Sequence, residues 1–268
     1  MNASISVPTL DALHQHLEEL AKRESMNRLP AFLFRGERDL YPETFSLIDR
    51  HYHSNPEVWN ELDSVTAFAM RHPLPTRRLP PKIAGAFAQH YGLPTHVLDF
   101  TASPRVAITF AANRGHHRER ARMGRIAVLD VDRALGNECC EIFDLRAFPE
   151  ALRAQRQHAF GVIYKGFNAD DRDDLKREHI CSQMAITWLE FGHLPDDETY
   201  LWLIGSESDL LSTDGDPFAA VPQDMVDAFV AESGALSPSA AAFLARDIPA
   251  KGRSVEENIR RWTSATKR

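Results

Sequence analysis

Apolar residues recur at helical spacing near the start of the chain, through Leu10, Leu13, Leu17 and Leu20. Thr9 can cap that helix, and Lys22 and Arg23 suit its C-terminal end. A short apolar run from Ala31 to Phe34 then closes on Arg35-Gly36, the pattern of a buried strand whose last side chain emerges at the end of a sheet. Val58, Leu62, Val65 and Phe68 restore helical spacing over 57–72, before the break PLPTRRLPP. Pro80 and Pro81 open a helix through Ile83, Phe87 and Tyr91, which Gly92 and Pro94 end. THVLDF reads as a strand, and Ser103-Pro104 begins a helix, serine as cap and proline at its first position.

RIAVLDV (125–131), EIFDL (141–145) and HAFGVIYK (158–165) complete the β-prone runs. From about Asp170 the spacing turns helical through DRDDLKREHICSQMAITWLE, and 205–217 is loop-like. Three short helices are expected around Val226–Phe229, Ala240–Leu244 and Val255–Trp262. The order argues an α+β fold: an N-terminal helix over 1–30, a core over 31–165, and a mainly helical C-terminal extension over 166–268 packed on that core.

Composition narrows the class. The 268 residues hold 43% apolar and 26% charged side chains, an ordinary globular balance. A formal charge of −7 argues against a general grip on nucleic acid, which needs a net basic surface. Six lysines stand against 25 arginines, so any single arginine carries less information than usual. Cys139, Cys140 and Cys181 form neither a disulfide framework nor a C-x-x-C pair, and no metal is expected. With no secretory leader and no long apolar run, a cytoplasmic protein without membrane contact is expected.

Three segments carry candidate chemistry. Arg35 beside Gly36 offers a bidentate guanidinium next to a backbone that a phosphate can approach, or else an ordinary strand end and turn. Gln89, His90, Thr95, Asp99, Thr101 and Ser103 gather polar groups between apolar elements, and the helix after Ser103 presents free N–H groups. Alternatively Gly92 and Pro94 are punctuation and His90 a satisfied residue of a helix's last turn. The stretch Arg114–Arg125 is either a phosphate-gripping loop or a solvated connector. Arg35, His90, Asp99, Thr101 and Ser103 each end an apolar element, so they are expected to converge on one cleft.

FRG at 34–36, AQHYGLPTHVLDFTASPRVAITFAA at 88–112 and RIAVLDV at 125–131 together resemble the bacterial FRG domain, over about 30–165. His96 stands where the family commonly has Arg, and Phe100 where it commonly has Trp; Arg153, Gln157 and Phe160 echo its later segment. The order of these motifs is in turn similar to that of the ADP-ribosyltransferase superfamily. That resemblance implies a split mixed sheet with flanking helices, and NAD as the substrate. Arg35 would hold a phosphate, Thr101 or Ser103 would orient the nicotinamide side, and Gln157 would accept from a ribose hydroxyl. Gly36, Gln89, His90, Tyr91, Thr95, Asp99 and Phe110 would line the substrate.

Cleaving the nicotinamide–ribose bond passes through an oxocarbenium-like state, which a carboxylate stabilises and an amide only solvates. Glu37, Asp99, Glu141 and Glu150 are alternative sources of that carboxylate. The implied setting is a bacterial toxin or phage-defence effector with a macromolecular acceptor and an antitoxin or defence-system partner. A non-catalytic nucleotide- or protein-binding module using the same cleft is the alternative, and nucleic-acid processing around the Arg114–Arg125 loop is a third.

Overall fold

The computed structural model of the chain describes residues 4–38, 40, 56–73, 79–112, 123–138, 140–164, 185–193, 207–248 and 253–264. The chain divides into two compact units. The first comprises Met1–Thr44, Phe100–Arg146 and Arg153–Ser212; the second comprises Phe45–Asp99, Ala147–Leu152 and Thr213–Arg268. The class is α+β, and among the described residues the sheet is mixed and seven-stranded. No described helix is long and apolar enough to cross a membrane.

Except for Leu98 and Asp99, the strands of the sheet belong to the first unit. Its strands are β1 (Ser4–Ser6), β2 (Phe32–Glu37), β3 (Leu98–Thr101), β4 (Met123–Asp130), β5 (Cys140–Asp144), β6 (Ala159–Tyr164) and β7 (Ile186–Gly192). Their order across the sheet is β1-β7-β4-β2-β3-β6-β5. β1 runs parallel to β7, whereas β2–β3, β2–β4, β4–β7 and β5–β6 are antiparallel. One face is covered by helix α1 (Leu10–Ala21), capped by Thr9 as expected, with Leu10, Leu13, Leu17 and Leu20 all buried. They pack in one cluster with Phe34, Ala107, Ile108, Ala111, Ile126, Val128, Leu189 and Phe191. Each fully buried leucine contributes about 1.5–3 kcal/mol against leaving it in water.

β7 corrects the expectation of a helix running through ITWLE and of a C-terminal segment that only packs on the core. Residues 186–192 pair with β4 from Met123↔Gly192 to Leu129↔Ile186, inside the sheet. The β-branched and aromatic residues of ITWLEFG suit a half-buried pleat better than a helix, and long-range pairing decided what local spacing left open. Residues 165–184, the rest of that expected helix, lie outside the described residues. β1 was not anticipated, because three residues carry no readable period.

The second unit is helical, with α2 (Pro56–Ala69), α3 (Pro81–His90), α8 (Val221–Ser233), α9 (Pro238–Asp247) and α10 (Val255–Thr263). The last three match the short helices expected there. α2 and α8 pack on α3, and α9 packs on α10. Phe87, Phe148 and Phe218 meet with ring centroids 4.5–6.0 Å apart and anchor that core. Between β3 and the C-terminal helices the first unit adds α4 (Pro104–Ala112), α5 (Val131–Gly136) and α7 (Glu207–Leu211). α6 (Leu152–Arg156) precedes β6.

Candidate functional site

The Phe34-Arg35-Gly36 tripeptide separates into three jobs. Phe34 is fully buried in the cluster beneath α1 and α4. Gly36, two residues on, shares that face and lies under α4. A Cβ there would run into the Ala107 carbonyl oxygen and come 2.7 Å from the Ala111 amide nitrogen. Gly36 is therefore required for the close approach of a helix backbone to a strand, and the room expected for a ligand at this position is taken by α4. Arg35, between the two, emerges from the other face.

On that second face the registers β2–β4 and β4–β7 set up two rows. Glu37 stands opposite Arg125, and Arg125 opposite Glu190. Arg35 stands opposite Ala127, and Ala127 opposite Trp188. Directly opposed residues share a face, so all six side chains lie on one side of the sheet. Glu37 is completely buried and receives the Arg125 Nε at 2.5 Å. The Arg35 Nε lies 3.5 Å from its other oxygen. The Arg125 guanidinium carbon stands 4.6 Å from the Trp188 ring centroid, a cation–π contact. One buried carboxylate is thus flanked by two guanidiniums.

Thr101 is opposite Phe34, so its side chain takes the α4 face and not the face of Arg35. This corrects the expectation of one cleft for these two residues: a shift of a single position along the pleat sends side chains to opposite sides. The Thr101 hydroxyl donates to the Gln157 carbonyl at 2.6 Å and accepts from the Ser103 amide at 3.0 Å. Ser103 caps α4, its Oγ 3.4 Å from the Val106 amide. Gln157 is buried, and its Nε2 donates to the Leu210 carbonyl at 2.8 Å. Phe110 is partly buried on α4. Gln157→Glu should therefore lower stability by about 1–3 kcal/mol, since a carboxylate turns a donor into a repelling acceptor. A urea melt reads this directly, and an unchanged midpoint would contradict it.

The second unit holds the other expected site residues. Gln89 Oε1 accepts from the Thr95 amide at 2.7 Å and from its hydroxyl at 3.1 Å, so Gln89 braces the turn in which Gly92 (φ +108°) ends α3. Tyr91 is buried and donates its hydroxyl to Asp216 at 2.5 Å, while Asp216 also caps Phe218. Gln89 and Thr95, expected to line the substrate, brace the loop from within, and Tyr91, expected to line it too, ties the end of α3 to Asp216. His90 Nδ1 lies 3.7 Å from Asp99 Oδ1, and Gln89 Nε2 lies 3.4 Å from Asp99 Oδ2. Asp99 is the partly exposed member of that group. His96 pairs with Asp63 at 3.2 Å, and Phe100 is buried. Of the other carboxylates considered, Glu141 is partly buried on β5 and Glu150 is exposed.

Arg125 and Trp188, which share this face with Arg35 and Glu37, are not among the candidates that the sequence offers. Arg125 was read as the end of an arginine-rich connector, of which residues 114–122 lie outside the described residues, and Trp188 was placed on a helix. The available signal was the alternation Arg35-x-Glu37 with Arg125-x-Ala127, legible only once the two strands are paired.

Among known protein families, residues 30–120 match the FRG domain. The FRG match covers β2, α2, α3, β3 and α4, so it includes Arg35, Glu37, His90, Asp99, Thr101 and Ser103. It ends before Arg125, Gln157 and Trp188. No curated protein and no solved structure matches the chain.

Proposed function

We propose that the protein binds NAD or a related dinucleotide, with Arg35 gripping the diphosphate, and that its sheet is of the ADP-ribosyltransferase-like kind. The observation that carries the reading is the Arg35–Glu37–Arg125 array: a guanidinium fork fixed on a sheet face, with a second beside it and one carboxylate between them. A planar fork held in this way suits a phosphate, for which a flexible ammonium is a poorer match. The transferase kinship is supported by the sheet order β2-β3-β6, which makes neighbours of the strands carrying or adjoining Arg35, Thr101 and Gln157.

One observation favours binding without cleavage. Gln157 is an amide tied to the Leu210 carbonyl, and Glu37 is already matched by two cations. Neither offers an uncommitted negative charge to an oxocarbenium-like state. A toxin or phage-defence role, with a macromolecular acceptor and an antitoxin partner, belongs to the catalytic form of the reading. Incubation with labelled NAD separates the two forms. Intact NAD retained by the protein supports the module; free nicotinamide, with or without label on macromolecules, supports the enzyme. Neither retention nor release would overturn both.

A further inference from the structure

We propose that Met26 is a modification site, a surface thioether that a peroxide converts reversibly to the sulfoxide while the fold stays intact. Among the described residues it is the most exposed large apolar side chain, at 89%, with Ile5 next at 48%. It stands in the loop that joins α1 to β2, whose neck is closed by a bridge between Glu24 and Pro30. The backbone beneath it is fixed. Asp132, in the first turn of α5, accepts from the Ser25 hydroxyl at 2.6 Å, the Met26 amide at 3.3 Å and the Asn27 side-chain amide at 2.9 Å. The Ser25 Oγ in turn accepts from the Asn27 amide at 3.0 Å, and Arg28 takes the left-handed conformation at φ +60°. The Ser25 hydroxyl foremost holds the Asp132 carboxyl below its ordinary range, which keeps it an ionised acceptor. None of these bonds involves the Met26 side chain, so the loop keeps its shape whatever the state of that sulfur.

The other described methionines are placed differently. Met225 is wholly buried in α8. Met70 is half-buried, and its sulfur occupies the space that a Cβ on Gly85 of α3 would need. Met123 is half-buried at the start of β4. In the reaction a sulfur lone pair attacks one oxygen of hydrogen peroxide, the O–O bond breaks and an S–O bond forms. The sulfur is oxidised, the peroxide is reduced, and its second oxygen leaves as water with both peroxide protons. The product replaces a flexible apolar side chain with a polar, chiral one, which reductases can return to the thioether. In a core that change disrupts packing. On this loop it alters the surface alone, because the side chain supports nothing beneath it.

Peptide mass spectrometry of the folded full chain during exposure to dilute hydrogen peroxide tests this. Met26 should take up one oxygen at least about 100-fold faster than Met225, whose sulfur is reached only through an opening that breaks the core. It should also outpace Met70 and Met123. Protein oxidised at Met26 should keep the urea midpoint of the untreated chain, and a methionine sulfoxide reductase supplied with a thiol should restore the thioether. Met26→Leu, which offers no sulfur here, should lose this rapid uptake and melt like the wild type. Uptake at Met26 no faster than at Met225, or a midpoint lowered by the sulfoxide or by leucine, would overturn the proposal. So would a Met26 sulfoxide that the reductase leaves untouched.

Discussion

Gly36→Ala is expected to destabilise the protein by about 3 kcal/mol or more, the upper end of what overpacking costs. The added methyl group meets no flexible side-chain tip that could swing aside. It meets the backbone of α4 at Ala107 and Ala111, in a helix that is itself locked into the core by Ile108. Relief requires the helix to lift off β2, which would open the contacts of Phe34. Urea denaturation checks the magnitude, and a variant as stable as the wild type would show that α4 does not approach β2 this closely. The result also distinguishes two meanings of the glycine. If it served chiefly to admit a ligand, alanine would impair binding and leave the melt unchanged.

Glu37→Ala should cost about 3–5 kcal/mol, the range for removing one partner of a buried ion pair. Both side chains of the Glu37–Arg125 pair are essentially inaccessible, so the orphaned guanidinium cannot turn to water. The large term is the charge left behind and not the attraction lost. Glu37→Gln combined with Arg125→Gln should accordingly cost less than Glu37→Ala alone, despite changing two residues. Equal or greater loss in the double variant would mean that the pair contributes through its own attraction, contrary to this account.

Local signals carried much of the fold. Leu10, Leu13, Leu17 and Leu20 announced α1 by spacing alone, and Ser103-Pro104 announced the start of α4, because caps and periodicity are properties of neighbouring residues. β7 was missed because its identity rests on pairing with β4, some 60 positions away, and its tryptophan and leucine fit either period. The candidate site divides in the same way. Arg35 was legible as a strand-end guanidinium, and Glu37 as a nearby carboxylate. Their alignment with Arg125 and Trp188 was not, since register is fixed by the assembled sheet. The single cleft expected for Arg35 and Thr101 failed for a related reason. Nothing in LPTHVLDFT states which residue of β3 will stand opposite Phe34, and that one pairing decides the face. Gln89 and Thr95 are expected as ligand contacts because polar residues cluster there, and Tyr91 because the resemblance implies it. A tight turn after a helix, however, leaves its own N–H groups to satisfy, and Gln89 and Thr95 accept from them, while the Tyr91 hydroxyl donates to Asp216.

The central claim is that Arg35 grips a diphosphate as a bidentate fork. Calorimetric titration of NAD into the wild type, Arg35→Lys and Arg35→Ala measures it most directly. The account predicts measurable affinity in the wild type and losses of about 2–3 kcal/mol in both variants, nearly equal because a point charge does not replace the fork. An Arg35→Lys protein that binds NAD as tightly as the wild type would contradict it.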